Sequence, residues 1–178
     1  MSETFIPAVI EMRGVSIGPP RSAANDVNWL VRPGEFWVVA GQQHSGKSDL
    51  LMHAAGLTTP AGGSCRVFGC ESDLFSDAHL AERLRVGFVF TVGKLFNHLT
   101  VAENVALPLR YQKNLTAVAA AGEVGALLEL LELTPFAAAA PANLAVNWRQ
   151  RAALARALAL QPELLLLDNP LAGLGVRH

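Results

Sequence analysis

The chain has 178 residues, a hydrophobic fraction of 51 % and a net charge of −1, which is enough for one domain with a buried core. This near-neutral charge gives no electrostatic basis for binding nucleic acid or an anionic membrane surface. No apolar stretch of about 18 residues predicts a transmembrane helix, and residues 1–5 lack the pattern of a signal peptide. Cys65 and Cys70 are the only cysteines, and we predict reduced thiols in a cytosolic protein, not a metal or disulfide site.

The first elements along the chain are predicted strands. The composition of residues 8–17 and the alternation of residues 27–31 predict two strands, separated by a turn at residues 18–21 where Gly and Pro cluster. The apolar run at residues 36–40 predicts a third, buried strand.

Residues 41–48 carry the motif with the clearest chemistry. They spell Gly-Gln-Gln-His-Ser-Gly-Lys-Ser and match the phosphate-loop pattern G-x-x-x-x-G-K-[ST] at every fixed position. The strand predicted before them and a helix predicted over residues 49–55 give the strand–loop–helix context that the motif requires. Backbone N–H groups of such a loop cradle the phosphates of a nucleotide. Lys47 would bring positive charge to these phosphates, and the Ser48 hydroxyl would bind Mg²⁺.

The residues predicted to bind the nucleotide belong to this loop, apart from the residue that follows it and one that lies further along the chain. They are Gly41, Gln42, Gln43, His44, Ser45, Gly46, Lys47, Ser48, Asp49 and Asn147. We expect His44 to face solvent, with a direct phosphate contact as the alternative. Asp49 is expected to cap or solvate the start of the helix.

Shorter elements follow the phosphate loop. Residues 58–63 form a connection rich in Pro and Gly, and residues 64–68 predict a short strand. A short helix is predicted over residues 77–83, and another buried strand over residues 86–90.

The pattern then becomes helical. Thr100 and Glu103 have the spacing of a capping box, which predicts the start of a helix. A second helix is predicted over residues 116–133 and a third over residues 149–160, ending before Pro162. The core-facing stripe of the second helix is predicted to consist of Leu127, Leu128, Leu130 and Leu131.

An acidic residue follows the last predicted strand. Residues 164–167 are four leucines, as in a central parallel strand covered on both faces. Asp168 comes next, at the end of the strand where ligands gather in open α/β sheets. A carboxylate there can hold Mg²⁺ directly or through water, opposite Ser48. The alternative is an Asp that starts a turn before Pro170. We therefore predict Ser48 and Asp168 as metal ligands.

The order of these elements, and the wording of several segments, resemble the nucleotide-binding subunit of ABC transporters over nearly the whole chain. The segments are RPGE at residues 32–35, LFNHLTVAENV at 95–105, RQRAALARAL at 149–158, and LDNPLAGL at 167–174, which matches the family's Walker B motif and D-loop. Within that family, residues 95–109 and 147–151 look most similar to the subgroup that works with Mce-type lipid-trafficking permeases.

The resemblance implies an α/β fold of the P-loop NTPase class, an ABC-type ATPase core with an N-terminal β subdomain and an inserted helical subdomain. It implies a single ATP-binding domain over residues 1–178. The core and β subdomain would occupy about residues 1–94 and 149–178, and the helical subdomain about residues 95–148.

The resemblance also implies a mechanism. ATP and Mg²⁺ would be the cofactors, and two such subunits, identical or different, would sandwich two ATP molecules. Each site would combine the phosphate loop of one subunit with the signature segment of the other. ATP would close this dimer and hydrolysis would reopen it, driving an integral membrane permease. The chain would therefore lie at the cytoplasmic face of the cell membrane, with no nucleic-acid partner.

One departure from the family concerns catalysis. Asn169 stands where the family usually has a catalytic Glu. An amide can hydrogen-bond the attacking water but cannot take its proton, and general-base catalysis is typically worth about 10²–10⁴-fold. We therefore predict slow turnover. The alternative is a subgroup that tolerates Asn here and uses another group.

A second departure lies in the signature, which the family writes Leu-Ser-Gly-Gly-Gln and this chain writes Leu-Ala-Val-Asn-Trp at residues 144–148. Ala145 lacks the hydroxyl, and Val146 crowds the backbone. Asn147 is interpreted either as the N-cap of the next helix, with Gln150 three residues on, or as a ligand of the partner's phosphate.

Further departures are found elsewhere in the chain. Thr91 stands at the position of the Q-loop Gln and is too short to reach Mg²⁺ and water, which weakens the expected coupling to the permease. No aromatic residue lies near Ile17 and Gly18 to stack on adenine, and Gly175 replaces the D-loop Asp. The family's last strand and switch His would lie beyond His178, so the resemblance implies a C-terminally short chain.

Three functions fit these features. The leading hypothesis is an ABC-type ATPase, the ATP-binding subunit of an importer or lipid-transfer system with weakened hydrolysis. The second is a degenerate or truncated regulatory subunit that binds nucleotide without significant ATPase activity. A heterodimer in which the other chain supplies the catalytic Glu would reconcile the two. The third, a small kinase, is disfavoured by the family resemblance at residues 149–160.

Overall fold

The computed structural model describes residues 7–17, 26–71 and 79–172. The chain divides into two compact units, Met1–Val86 and Gly87–His178. Some sequence predictions lie outside the described residues: the turn at 18–21 and Gly18, the helix start at 77, the D-loop end at 173–175, and His178. No helix within the described ranges has both the length and the apolar character needed to cross a membrane.

The first unit is built on a four-stranded antiparallel sheet with the order β2-β1-β3-β4. The strands are β1 (Ile10–Val15), β2 (Val27–Val31), β3 (Ser64–Val67) and β4 (Cys70–Glu71). Ile10 and Met12 of β1 are buried as alternate residues, and Val15 is buried beyond a register shift between Met12 and Val15. The strands predicted over residues 8–17, 27–31 and 64–68 are therefore confirmed.

Two helices belong to the same unit, α1 (Lys47–Ala54) and α2 (Leu80–Leu84). The helix predicted over residues 49–55 is present, but α1 begins two residues earlier, at Lys47 within the phosphate-loop motif. The Gly-rich connection between α1 and β3 has a steric reason at Gly63. Its φ is +80°, and a Cβ there would lie 2.3 Å from the carbonyl oxygen of Gly14.

The apolar run at residues 36–40 is not a strand, and the prediction of a buried strand there is wrong. Phe36, Trp37 and Val38 are 90 %, 53 % and 75 % exposed, and the run belongs to neither sheet of the described chain. The Trp37 side chain instead contacts residues earlier in the chain. Its Nε1 donates to the Glu35 carboxylate at 2.9 Å, and its ring lies edge-on to the ring of Trp29. An apolar run supplies the side chains of a strand, but a strand also needs partners for its backbone groups.

The second unit contains a two-stranded sheet and three helices. The sheet pairs β5 (Val86–Val89) with β6 (Leu164–Leu167), and the helices are α3 (Val101–Gln112), α4 (Ala117–Leu130) and α5 (Val146–Leu158). Leu165 is 37 % exposed, so the prediction that residues 164–167 are covered on both faces is wrong within the described chain. Within the described residues β6 pairs only with β5. One face of such a two-stranded sheet can remain exposed to solvent.

The three helices enclose the main apolar cluster of this unit, which includes Val105, Leu109 and Leu128. Leu127 and Leu131 pack against the cluster, whereas Leu130 is 69 % exposed. The prediction that Leu130 belongs to the core stripe is therefore wrong. At about 100° per residue, Leu130 lies about 200° around the helix from Leu128.

Helix α3 begins with the predicted capping box. The Thr100 hydroxyl accepts from the N–H of Glu103 at 3.2 Å, and the Glu103 carboxylate accepts from the N–H of Thr100 at 2.7 Å. The Thr100 N–H and the Thr100 hydroxyl, at 2.9 Å, both donate to the Glu103 carboxylate, and these two hydrogen bonds lower the pKa of Glu103. Two donors at the helix start are satisfied reciprocally, which fixes the first turn of α3.

A buried amide holds the segment before α3. Asn104 is fully buried; its Oδ1 accepts from the N–H of Phe96 at 2.8 Å, and its Nδ2 donates to the carbonyl oxygens of Phe96 (3.0 Å), Leu99 (3.3 Å) and Thr100 (2.9 Å). Asn104→Ala would remove the acceptor of the Phe96 N–H and one donor from each of the three carbonyl oxygens, and it would open a cavity. We expect it to lower the free energy of unfolding by about 3 kcal/mol, measured by urea denaturation. Asn143→Ala is the matched control, since Asn143 is exposed; an equal loss in the two variants would contradict this role.

Candidate functional site

The phosphate-loop motif forms an exposed turn that leads into α1. Gly46 is the N-cap of this helix with a φ of +87°, and no side chain caps the helix start. A Cβ at Gly46 would lie 2.9 Å from Cγ2 of Ile17, so both the backbone conformation and the space require glycine. The N-cap residue therefore offers no side-chain acceptor to the first turn of α1, a helix start of the kind that binds anions.

Lys47 folds back over the loop. Its Nζ donates to the carbonyl oxygens of Gly41 at 2.9 Å and Gln42 at 2.6 Å, and to the Ser45 hydroxyl at 3.3 Å. The loop carbonyls thus hold the ammonium group beside the N–H groups of the helix start. This arrangement concentrates positive charge where an anion could bind, and an anion would compete with these carbonyls for the Lys47 donors.

The other predicted loop residues are accessible. Gln43, His44 and Ser48 are exposed, and Asp49 is half-buried in the first turn of α1. His44 has a φ of +63°, which helps to turn the loop.

In the second unit, two predicted residues meet although they are 77 positions apart. The Thr91 hydroxyl, beyond the end of β5, donates to Oδ2 of Asp168 at 2.8 Å. The N–H of Asp168 donates to the carbonyl oxygen of Val89 at 2.9 Å, which extends the pairing of the two strands. Thr91 thus directly orients the carboxylate that is predicted to hold a metal ion.

Asn169, the residue after Asp168, has a left-handed backbone conformation with a φ of +52°. Its carbonyl oxygen accepts from Nε2 of Gln150 at 3.1 Å. Gln150 is only 6 % exposed, and its Oε1 is a buried acceptor without a hydrogen-bond partner within the described structure. Gln150 is thus a positioning residue for Asn169 that the sequence analysis treated only as part of a helix cap.

The prediction that Asn147 caps α5 is wrong. The N-cap is Ala145, whose carbonyl oxygen accepts from the N–H groups of Trp148 and Arg149, both at 3.1 Å. Asn147 is therefore the second residue of the helix, and Gln150 points away to Asn169. In the first turn of α5, Trp148 packs against Phe136, with ring centroids 4.6 Å apart. A role of Asn147 as a phosphate ligand stays a prediction.

Gln150 can be tested by two substitutions that differ in volume. Gln150→Leu removes the bond to Asn169 but also removes the unpartnered buried oxygen, so we expect a change in unfolding free energy within about 1 kcal/mol. Gln150→Ala also opens a cavity and should cost about 2 kcal/mol more. Urea denaturation of both variants measures the difference. Equal losses would show that the side-chain volume of Gln150 does not matter to the fold.

The segment after Thr91 is held against α5 in an unusual conformation. Val92, Gly93 and Lys94 have φ values of +65°, +84° and +39°. Nη2 of Arg156 donates to the carbonyl oxygens of Gly93 at 3.2 Å and Lys94 at 3.1 Å, and burial lowers the pKa of Arg156. A β-branched residue at positive φ is strained, and strain of this kind often marks a switch segment.

The predicted residues therefore form two groups. The phosphate loop belongs to the first unit, whereas Thr91, Asn147, Asp168 and Asn169 belong to the second. Carboxylate and hydroxyl oxygens are ligands that suit Mg²⁺, so Ser48 and Asp168 fit the predicted role by their chemistry. That they share one ion stays a prediction.

Comparison with protein families gives a match over most of the chain. The model of the family described as ABC transporter matches residues 24–172. The sulfate/thiosulfate import ATP-binding protein CysA of Gloeobacter violaceus is 41 % identical over 155 residues, covering 87 % of this chain and 44 % of that protein. The protein of the same name from Escherichia coli is 39 % identical over 155 residues, covering 84 % and 41 %. The chain thus spans less than half the length of these curated relatives.

Solved structures agree with this match. The dimeric structure of a post-hydrolysis state of the ATP-binding cassette MJ0796, bound to ADP and Pi, has a TM-score of 0.83 and 30 % identity, covering 94 % of this chain and 76 % of that chain. A second dimeric structure of MJ0796, a bacterial ABC transporter cassette, has a TM-score of 0.84 and 31 % identity, covering 93 % and 76 %. The fold class predicted from the sequence is therefore confirmed.

Proposed function

Because the chain belongs to the ABC transporter family, we propose that it is an ATP-binding subunit that couples ATP binding and hydrolysis to transport. The observation that carries this proposal is the phosphate loop. Its ammonium group, its left-handed Gly46 and the uncapped start of α1 are arranged as a receptor for the phosphates of a nucleotide.

ATP would bind with its phosphates in the loop, where Lys47 would exchange its bonds to Gly41 and Gln42 for bonds to phosphate oxygens. Mg²⁺ would be held by the Ser48 hydroxyl and, directly or through water, by Asp168, and it would neutralise charge on the phosphates. Thr91 supports this role because its hydroxyl fixes the rotamer of the Asp168 carboxylate.

Hydrolysis is proposed to be weak, because Asn169 offers an amide where a general base is needed. Gln150 and the left-handed backbone fix the position of Asn169, so its side chain can orient water without accepting the proton. A regulatory subunit with no significant turnover is the second candidate. A heterodimer with a partner that carries the catalytic Glu would be compatible with both candidates, the weakened ATPase and the regulatory subunit.

The proposed partners are a second ATP-binding subunit and an integral membrane permease, which would place the chain at the inner face of the cell membrane. The dimeric MJ0796 structures support the first partner, and the import proteins of Gloeobacter and Escherichia support the second. We also propose that residues 95–148 form the helical subdomain that contacts the permease, with the strained segment after Thr91 as its link to the site.

Import of a sulfur oxyanion is the transport class that the curated relatives favour, since they are sulfate/thiosulfate import subunits. Lipid trafficking with an Mce-type permease is the alternative, suggested by the wording of residues 95–109.

Equilibrium binding of Mg-ATP, Mg-ADP and AMP to the full chain tests the proposal, together with measurement of phosphate release. We expect ATP and ADP to bind and AMP to bind far more weakly, because the loop holds the phosphates beyond the first. Phosphate should be released slowly. Equal binding of AMP, or no binding of any of the three, would refute the proposed site, and phosphoryl transfer to an added acceptor would indicate a kinase.

A further inference from the structure

Three side chains of different chemistry meet in the first unit, away from the phosphate loop in sequence. The donor atoms of Cys70, His79 and Glu82 all lie within 4.8 Å of one another. Within residues 7–17, 26–71 and 79–172, they form the single group of three or more His, Cys, Asp or Glu residues arranged in this way. Nothing in the proposed ATPase chemistry uses these three residues.

The local structure explains why these side chains converge. Cys70 lies on β4, directly after the turn that follows β3. His79 is the N-cap of α2, with φ −113° and ψ 23°, and Glu82 is three residues further along. Residues three apart at a helix start lie on the same side, so both side chains can face the strand. All three residues are half-buried, which leaves the group accessible from solvent.

Two arginines close to this cluster in sequence, Arg66 and Arg85, have contacts outside it. Arg66, opposite β4, pairs with the Glu71 carboxylate at 3.3 Å. The guanidinium of Arg85 lies 3.7 Å from the ring centroid of Phe68. The Glu71 and Phe68 contacts of these arginines lie outside the three donors of the Cys70, His79 and Glu82 group.

A thiolate, an imidazole and a carboxylate are the ligand types that bind zinc, whereas hard cations such as Mg²⁺ and Ca²⁺ prefer oxygen alone. Bonds of about 2.0–2.3 Å in a tetrahedral site place the ligand atoms about 3.5 Å apart. Side-chain rotations that bring the donors about 1 Å closer would complete the geometry. We propose that Cys70, His79 and Glu82 bind one Zn²⁺ ion, with water as the fourth ligand.

This site revises the expectation that the cysteines have no metal role, because only one of the two takes part. Cys65 is buried on β3, and burial raises the pKa of its thiol to about 11, which keeps it protonated and inert. Cys70 is half-buried and next to the two other donors. The sequence spacing of the cysteines was therefore the wrong signal, since the other ligands come from α2. A bound ion would connect β4 to α2.

Zinc titration of the reduced, nucleotide-free full chain, in competition with a chelator, tests this site. We expect one ion per chain, and a loss of affinity of at least about 100-fold in Cys70→Ser and in Glu82→Gln, since even the partners behind metal ligands are worth 10–100-fold. Glu71→Gln is the matched control, because it removes a neighbouring carboxylate that is not a ligand. Equal binding by wild type and Cys70→Ser, or equal losses in Glu82→Gln and Glu71→Gln, would overturn the site.

Two measurements on the unchanged protein do not depend on the folding of variants. Co²⁺ should give the near-ultraviolet charge-transfer absorption of a thiolate ligand, and Zn²⁺ should protect Cys70 from alkylation. Because Cys65 is buried, the alkylated cysteine should be Cys70, which peptide mapping identifies. Absence of the thiolate band, or alkylation at the same rate with and without Zn²⁺, would overturn the proposal. Neither result depends on ATP binding, so the site and the proposed function can fail separately.

Discussion

Replacing Lys47 with alanine is expected to weaken Mg-ATP binding by at least about 100-fold. The ammonium group is the side-chain cation that the loop carbonyls of Gly41 and Gln42 hold beside the start of α1. Hydrogen bonds from a charged donor to phosphate contribute about 3 kcal/mol together, which is about 100-fold in affinity. Fluorescence titration with a labelled ATP analogue, or calorimetry with ATP, measures the change.

Lys113→Ala is the matched control for Lys47→Ala. Lys113 is a surface lysine that pairs with Glu123 at 3.4 Å, and its removal should leave ATP binding unchanged. The Lys47 variant also loses three hydrogen bonds within the loop, so urea denaturation should accompany the titration. If folded Lys47→Ala binds ATP as tightly as the wild type, the loop does not bind the phosphates through this side chain.

Introducing a carboxylate at position 169 is expected to accelerate ATP hydrolysis. A general base typically contributes about 10²–10⁴-fold, which Asn169→Glu would restore. The structure lowers this expectation, because Asn169 has a φ of +52° and a left-handed conformation costs a residue such as Glu about 1–2 kcal/mol. We therefore expect a net increase in kcat of at least about tenfold, measured by phosphate release at saturating Mg-ATP.

Asn169→Gln separates the carboxylate from the backbone strain. Gln has the length and backbone preference of Glu but cannot accept a proton, so Asn169→Gln should hydrolyse no faster than the wild type. The ratio of kcat between the Glu and Gln variants should be about 100-fold or more. A ratio near one, with ATP binding intact in both variants, would favour the regulatory subunit over the weakened ATPase.

Much of the candidate site was predictable because its chemistry is local. The phosphate loop needs Gly46 for a left-handed turn and Lys47 and Ser48 next to it, and these residues are adjacent in the sequence. The capping box of Thr100 and Glu103 was predictable for the same reason, since a helix start is satisfied by side chains three residues apart. The alternation in residues 27–31 likewise follows from the two-residue period of a strand.

The errors came from features that depend on distant contacts. Residues 36–40 have the composition of a strand, but pairing depends on which backbone lies beside them. Asn147 has the chemistry of an N-cap, yet α5 begins at Val146 with Ala145 as its N-cap. Asn104 was part of a recognised segment, but its four hydrogen bonds to residues 96–100 appear only in the folded chain.

The sequence by itself determined the family and the phosphate-loop motif, because motifs are written in neighbouring residues. Only the tertiary structure decided that the Thr91 hydroxyl orients Asp168, 77 positions away, and that Gln150 holds the backbone of Asn169. It also decided that Cys70 meets His79 and Glu82 instead of Cys65. A contact between residues distant in sequence depends on how strands and helices pack, and no local pattern of side chains encodes that packing.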